Sequence, residues 1–165
     1  MKTLKNILLL LCALFLVDSG IVSAQNVNFS GTWVLDKGKS ELSGRRAESL
    51  VSATLVITQK ENNLAIKSEQ KYGERDITDE MELIIGGEQV ERESMGGRAT
   101  IKSKAMWSED KKNLIIVSER QFGDRGTSTI TETHSLSKDG KTLTVDGKSE
   151  SSRGTRESKM VYMKK

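Results

Sequence analysis

Residues 29–35 read Phe-Ser-Gly-Thr-Trp-Val-Leu, and this segment opens the first predicted strand of the chain. Its C-terminal residues, Val34 and Leu35, suit a pleated strand. Gly31 allows the backbone to bend, and Trp33 brings a large flat apolar side chain. The strands that follow decide which fold this segment belongs to.

Beyond this segment, apolar and polar residues alternate in short runs as far as the C-terminus. Alternation places every second side chain on the same face of a strand, so each run predicts a half-buried β-strand. The apolar members of these runs are Val51, Ala53, Leu55 and Ile57; Leu64 and Ile66; Met81, Leu83 and Ile85; Ala99, Ile101, Ala105 and Trp107; Leu114 and Ile116; Ile130 and Leu136; Leu143 and Val145; and Met160 and Tyr162. Gly, Asn and Asp lie between the runs, as hairpin turns require, and the chain has no proline. The pattern predicts an all-β fold, an antiparallel up-and-down meander of about ten strands.

Two of the predicted strands resemble each other. Residues 64–75 and 114–125 share the pattern L-x-I-x-S-E-x-x-aromatic-G-acid-R. The repeat has no regular period along the rest of the chain, so it does not indicate a solenoid. Similar strand chemistry accounts for it more simply than duplication.

The first 24 residues have the features of a secretory signal peptide. Lys2 and Lys5 precede an apolar run from Ile7 to Val17, and Val22-Ser23-Ala24 supplies small residues for cleavage before Gln25. Because the apolar run is too short to span a bilayer, we do not expect it to remain as an anchor. Residues 1–24 are therefore predicted to be removed, and the protein to be exported to the periplasm or secreted.

The single cysteine, Cys12, lies inside the predicted signal peptide. A lipoprotein attachment site is the alternative, but Leu11 stands where such a site needs a small residue. The mature chain is thus expected to fold without disulfides.

Residues 25–165 are predicted to form a single domain, because no linker or low-complexity segment divides them. Only residues 36–50 lack alternation, and they predict a short helix or an irregular cap. The formal net charge of the chain is +3, with acids and bases interleaved, so the sequence offers no basic stripe for nucleic acid. No transmembrane segment is predicted in the mature chain.

Few residues in the sequence could carry out catalysis or bind a metal. With one histidine, His134, and no cysteine outside the signal peptide, a metal site is poorly supplied with ligands. Glu132 and His134 lie on one strand face, where a carboxylate could orient an imidazole. No nucleophile turn, zinc helix or phosphate-binding loop completes such a site. We expect no enzyme activity and no cofactor.

The predicted inner strand faces are aliphatic at one end and polar at the other. The face of Leu64 and Ile66 continues through Ser68 and Gln70 to Tyr72, and that of Leu114 and Ile116 continues through Ser118 and Arg120 to Phe122. One interpretation is a barrel with a packed end and a polar cavity. The other, which we favour because polar strand ends are common in antiparallel sheets, is a set of long hairpins whose outer halves are solvated on both faces.

The segment around Trp33 resembles the calycin group, the lipocalins and fatty-acid-binding proteins, whose first strand carries Gly-x-Trp soon after an aromatic residue. The chain is also similar to small exported bacterial proteins, of unknown function, that are described as lipocalin-like and end with a turn like residues 137–145. The resemblance implies that the meander closes into a barrel. It also implies that Gly31 and Trp33 close the barrel and that a basic residue of the last strand packs over Trp33. Arg156 and Lys159 are the candidates, with Arg153 less favoured.

Two functions follow from this resemblance and from the half-polar faces. The first is an exported binding protein for a small apolar or amphipathic molecule; the second is a ligand-free structural or protein-interaction barrel of the envelope. For the first, Arg120, Gln70 and Tyr72 could meet a polar head group, and His134 is counted among the ligand-binding residues. The expected apolar wall consists of Leu64, Ile66, Ile101, Leu114, Ile116 and Ile130.

Overall fold

A computed structural model describes residues 27–42, 48–94, 96–123 and 126–165 of the chain. The predicted signal peptide lies outside these residues. Within the described part of the chain, no helix has the length and apolar character needed to cross a lipid bilayer.

Ten antiparallel strands form one sheet in up-and-down order. They are β1 (Gly31–Leu35), β2 (Leu50–Lys60), β3 (Asn63–Tyr72), β4 (Arg75–Ile84), β5 (Val90–Ser94), β6 (Ala99–Trp107), β7 (Leu114–Gln121), β8 (Thr127–Leu136), β9 (Thr142–Ser151) and β10 (Gly154–Lys164). The spatial order is β4-β3-β2-β1-β10-β9-β8-β7-β6-β5, so the first strand pairs with the last. The predicted all-β meander that closes into a barrel is confirmed.

The barrel is closed differently on its two sides. Between β1 and β10 a ladder pairs Trp33 with Lys164, and beyond it Lys165 donates its N–H to the carbonyl of Thr32 at 2.9 Å. Strands β4 and β5 are instead the two edges of the sheet. We call the boundary between these edges the seam. Near one end of the seam, Ile85 forms an isolated bridge with Ala105.

One end of the barrel, which we call the floor, is packed solid with apolar side chains. Its largest fully buried members are Trp33, Tyr162, Phe29, Ile57, Leu64, Leu114, Ile116, Leu143 and Val145. The segment before β1 crosses this end and is held by hydrogen bonds: Trp33 Nε1 donates to the carbonyl of Phe29 at 2.9 Å, and the Phe29 N–H donates to Gln59 Oε1 at 3.0 Å. The alternating pattern thus concentrates the apolar residues at one end of the interior.

The basic residue over Trp33 is Lys164, and the prediction of Arg156 was wrong. Lys164 Nζ lies 5.1 Å from the ring centroid, because Lys164 stands directly opposite Trp33 in the ladder. Arg156 pairs with Ser149 at the other end of β10 and is exposed. Gly31 has φ +151°, a conformation that favours glycine, and a Cβ atom there would lie 2.9 Å from Lys164 Cε. Glycine therefore leaves room for the lysine.

Two details differ from the simple strand pattern. A register shift between Leu50 and Ser52 turns Val51 outward, where it is 52% exposed, although it was expected to share the buried face of Ala53. In the predicted helix or cap, the described residues form a short 3-10 helix, Lys37–Lys39, capped by the carboxylate of Asp36.

Two turns at the floor share one hydrogen-bond pattern. In the β8–β9 turn, Ser137 Oγ donates to Asp139 Oδ1 at 2.6 Å, and the N–H of Thr142 donates back to Ser137 Oγ at 2.9 Å. Ser108 and Asp110 make the equivalent serine-to-aspartate bond in the β6–β7 turn. These serine and aspartate side chains satisfy turn backbone groups that the ladders do not reach.

Candidate functional site

A cavity of about 660 Å³ occupies the barrel between the floor and the opposite end, which we call the mouth. Its walls come from β2 to β10 and from the turns at the mouth. The apolar lining residues are Leu55, Ile66, Ile77, Met81, Ala99, Ile101, Phe122, Ile130, Val145 and Met160. The polar halves of the strand faces line this cavity, so the favoured interpretation, hairpins solvated on both faces, was wrong for these strands.

On β3, the polar side chains of the wall bind each other. Tyr72 OH donates to Gln70 Oε1 at 2.7 Å, and Gln70 Nε2 donates to Ser68 Oγ at 3.1 Å. Because these residues are two apart along one strand, they point the same way and form a continuous chain. Much of their hydrogen-bonding capacity is used within that chain.

On β7 and β8, Arg120, Glu132 and His134 form a second polar group. His134 is the deepest of the three, with 3% of its side chain exposed, and the Phe29 ring meets it edge-on at 6.4 Å between centroids. His134 Nε2 lies 3.9 Å from Glu132 Oε2, too far for a hydrogen bond. Neither ring nitrogen has a hydrogen-bond partner among the described residues.

The neighbouring residues hold the carboxyl of Glu132 in its ionised form. Burial on its own would raise the pKa of the carboxyl. The attraction of His134 and the positive charge of Arg120 outweigh that effect, so the pKa of Glu132 lies below its usual value. At neutral pH the wall therefore carries a carboxylate between the arginine and the histidine.

A third polar group closes the cavity at the seam. Arg92 on β5 reaches across to Asp79 on β4, with Nη1 to Oδ1 at 2.7 Å and Nη2 to Oδ2 at 2.8 Å. This is the two-bond geometry that matches a guanidinium to a carboxylate. The Nε atom of Arg92 is also buried, and no described residue accepts a hydrogen bond from it.

The predicted ligand-binding residues divide between the cavity and the floor. Six line the cavity: Ile66, Gln70, Ile101, Arg120, Ile130 and His134. Leu64, Leu114 and Ile116 lie in the packed core beneath it, where side chains from opposite walls meet and leave no room for a ligand. Tyr72 packs beside the core and touches the wall through Gln70.

The pattern of alternating residues missed Asp79 and Arg92. Strand β5 reads Val-Glu-Arg-Glu-Ser and has one apolar residue, so periodicity does not reveal it. The only sequence signal is its position between two glycine pairs, at residues 86–87 and 96–97. Two turn signals that far apart leave room for one strand.

Comparison with known proteins supports the fold alone. No protein-family model matches the chain, and no curated protein matches its sequence. Among solved structures, it is similar to the zebrafish ileal bile acid-binding protein in complex with cholic acid, with a TM-score of 0.53, 16% identity, and coverage of 83% of this chain and 98% of that one. It is also similar to a secretory abundant heat soluble (SAHS) protein from Ramazzottius varieornatus, with a TM-score of 0.58, 14% identity, and coverage of 82% and 94%. The chain therefore has the fold of the calycin-like β-barrels.

Proposed function

We propose that this protein is an exported binding protein that holds a small apolar or amphipathic molecule in the barrel cavity. The observation that carries the proposal is a cavity of about 660 Å³ above a fully packed floor. This volume is within the range of about 300–1,000 Å³ that is usual for small-molecule sites.

The chemistry of the wall supports an amphipathic occupant. Aliphatic side chains such as Leu55 and Ile130 supply apolar area, and polar side chains make up about half of the lining. A mixed wall of this kind suits a molecule that has both an apolar and a polar part. His134 and Arg92 both offer hydrogen-bonding atoms that no described residue satisfies, which is expected where a ligand completes the site.

Export and domain boundaries are part of the proposal. Residues 1–24 would direct the chain to the periplasm or the cell exterior and then be removed, leaving residues 25–165 as one barrel domain. N-terminal sequencing of the protein recovered outside the cytoplasm should give Gln25 as the first residue. A protein that retains residues 1–24 would contradict this part.

The ligand-free structural or interaction barrel is less well supported, because it needs a filled interior. Its test is the same as that of the binding protein. The purified mature chain is incubated with extracted cell lipid, passed through a sizing column and analysed by mass spectrometry. We expect a small molecule to elute with the protein. If nothing elutes with it and the melting temperature is unchanged by the extract, the ligand-free barrel is the better description.

A pair of variants makes this test specific for the cavity. Ala99→Phe adds a ring inside, since Ala99 is buried and lines the cavity. Lys104→Phe adds the same ring on an exposed, outward-facing position of the same strand. We expect the Ala99 variant to lose the ligand and the Lys104 variant to keep it. Equal retention by both would place the ligand outside the barrel.

A further inference from the structure

The two arginines that point into the barrel from β5 and β7 each have an acid beside them. Arg92 uses both terminal nitrogens on the two oxygens of Asp79, at 2.7 and 2.8 Å. Arg120 lies within the electrostatic range of Glu132, which is ionised as described above. The charge of Arg92 is therefore compensated by an ion pair before any ligand enters, and that of Arg120 is offset in part by the field of Glu132.

These arginines lie at one level of the wall. In the ladders, Arg92 stands opposite Ile101, and Ile101 stands opposite Arg120. The three residues form a row across β5, β6 and β7, with an apolar side chain between the two guanidinium groups. Asp79 of β4 meets the row at Arg92, whereas Glu132 of β8 stands opposite Ile116, closer to the floor than Ser128, the ladder partner of Arg120.

Some buried hydrogen-bonding atoms of the cavity wall have no partner. The buried N–H of Arg92 Nε has no acceptor among the described residues, and neither nitrogen of His134 has a partner there. An imidazole carries two ring nitrogens, at least one of which is a donor. The wall therefore holds one donor at the seam and one further hydrogen-bonding group near the floor.

An anion brought to this site would meet one cation held in an ion pair and another whose charge is partly offset. To bind it, Arg92 would have to release Asp79, or Arg120 would have to share the field of Glu132, and in either case a half-buried carboxylate would lose part of its compensation. A hydroxyl, carbonyl, ester or amide group pays no such penalty, and it satisfies a donor that is otherwise buried without a partner.

Two further arginines, Arg75 and Arg98, also border the cavity. Both are exposed at the mouth, where water competes for their hydrogen bonds and screens their charge. They can attract an anion to the entrance, but they do not supply a buried counter-charge for it.

We propose that the cavity selects an uncharged amphiphile, whose hydroxyl, carbonyl, ester or amide group hydrogen-bonds to Arg92 Nε or to His134, over an amphipathic anion. This inference rests on the proposed binding function and names the class of ligand for the same cavity.

The test compares 1-decanol with decanoate at pH 8, by isothermal titration calorimetry on the purified mature chain. The two probes share a chain length and differ in the charge of the polar end. We expect decanol to bind at least tenfold more tightly. If decanoate binds as tightly or more tightly, the inference is wrong while the binding function stands. If neither probe binds and no cell lipid elutes with the protein, the binding function itself fails and the inference falls with it.

Asp79→Asn isolates the role of charge compensation. The asparagine keeps the shape of the side chain and one acceptor but removes the negative charge from Arg92. We expect decanoate to gain at least tenfold in affinity in this variant, so that the preference for decanol shrinks or reverses. Glu80→Gln is the matched control, because the adjacent Glu80 is exposed on the outer face, 3.8 Å from Lys67. An unchanged decanoate affinity in Asp79→Asn, with an unchanged fold, would overturn the inference.

His134 is tested separately from the seam. His134→Leu should weaken decanol binding severalfold, and His134→Gln, which keeps a donor and an acceptor, should restore part of it. A circular dichroism melt checks that both variants fold. If all three proteins bind decanol equally and Arg92→Met does as well, neither group contacts the ligand and the inference is wrong.

Discussion

The two closures of the barrel, the β1–β10 ladder and the seam, use different kinds of bond. The ladder is made of backbone hydrogen bonds, and it is backed by the buried Trp33 and by Lys164 above its ring. At the seam the closure depends on side chains, since Arg92 and Asp79 join the two sheet edges, and a single backbone bridge, from Ile85 to Ala105, lies at the floor end. The β1–β10 closure is therefore part of the core, whereas the closure at the seam is a side-chain ion pair between two unpaired strand edges.

This difference indicates where the barrel opens. Local opening is least costly where few buried contacts and few ladder hydrogen bonds must break. Strands β1 and β5 each have five residues, but β5 forms a ladder on one side only, whereas β1 forms one on both. We therefore expect access to the cavity to involve the seam and the mouth, while the β1–β10 side stays fixed.

The largest predicted effect on stability comes from removing the buried tryptophan on the β1–β10 side of the barrel. Trp33→Ala should lower the free energy of unfolding by about 3–5 kcal/mol, because the indole is fully buried and the floor cannot refill its space. Urea denaturation measures the loss. Val34→Ala, on the same strand but 40% exposed, should change stability by no more than about 0.5 kcal/mol. Similar losses in both would mean that the tryptophan does not hold this side of the barrel together.

A smaller effect is expected at the seam. Arg92→Met should cost about 1 kcal/mol, since the pair with Asp79 is well aligned but partly exposed. Amide hydrogen exchange should accelerate in β4 and β5 and not in β1 and β10. Lys102→Met is the control, because it removes an exposed ion pair with Glu91 from the outer face of the β5–β6 hairpin. Faster exchange on both sides of the barrel would refute the distinction between the closures.

The smallest effect concerns the cation above Trp33. Lys164→Met should cost about 0.5–1 kcal/mol, the usual contribution of an exposed cation over an aromatic ring. Arg156→Met should have no measurable effect on the unfolding midpoint, because Arg156 is exposed at the far end of β10. The reverse order of effects would restore the sequence-based assignment of the closing cation.

Much of the fold follows from the sequence, because alternating residues report directly on buried faces. The pattern misses β5, whose residues are almost all polar, since its inner face meets Asp79 instead of apolar side chains. It also misplaces Val51, because a bulge reverses the inward face and leaves no trace in composition. Local periodicity therefore fails where a strand is short and almost wholly polar, as in β5, and where a bulge interrupts the alternation, as at Val51.

Assigning the basic residue over Trp33 needed the register of the last ladder. Arg156 and Lys164 both belong to β10, and only the count of pairs from Trp33 separates them. Such a count depends on where a strand begins, which sequence patterns place least accurately. The sequence alone therefore could not decide between these two residues.

The candidate site was only partly predictable for a related reason. Arg120 and His134 lie on ladder-paired strands, so their common face could be inferred. Asp79 and Arg92 meet across the seam, and no strand pairing brings them together. The hydrogen bond between Gln70 and Tyr72 on β3 likewise depends on side-chain rotamers, which the alternating pattern does not predict.

The pairing of the first strand with the last has a consequence for folding. The natural order leaves one ladder, β1–β10, whose partners are far apart along the chain, and this pairing must wait until the last strand is in place. A circular permutant joined after Lys165 and reopened between Ile85 and Val90 would run from β5 to β10 and then from β1 to β4. Every ladder would then join consecutive strands, and the cut would fall at the existing seam. Because folding rate rises as contact order falls, such a permutant should fold faster than the natural chain and keep the same cavity.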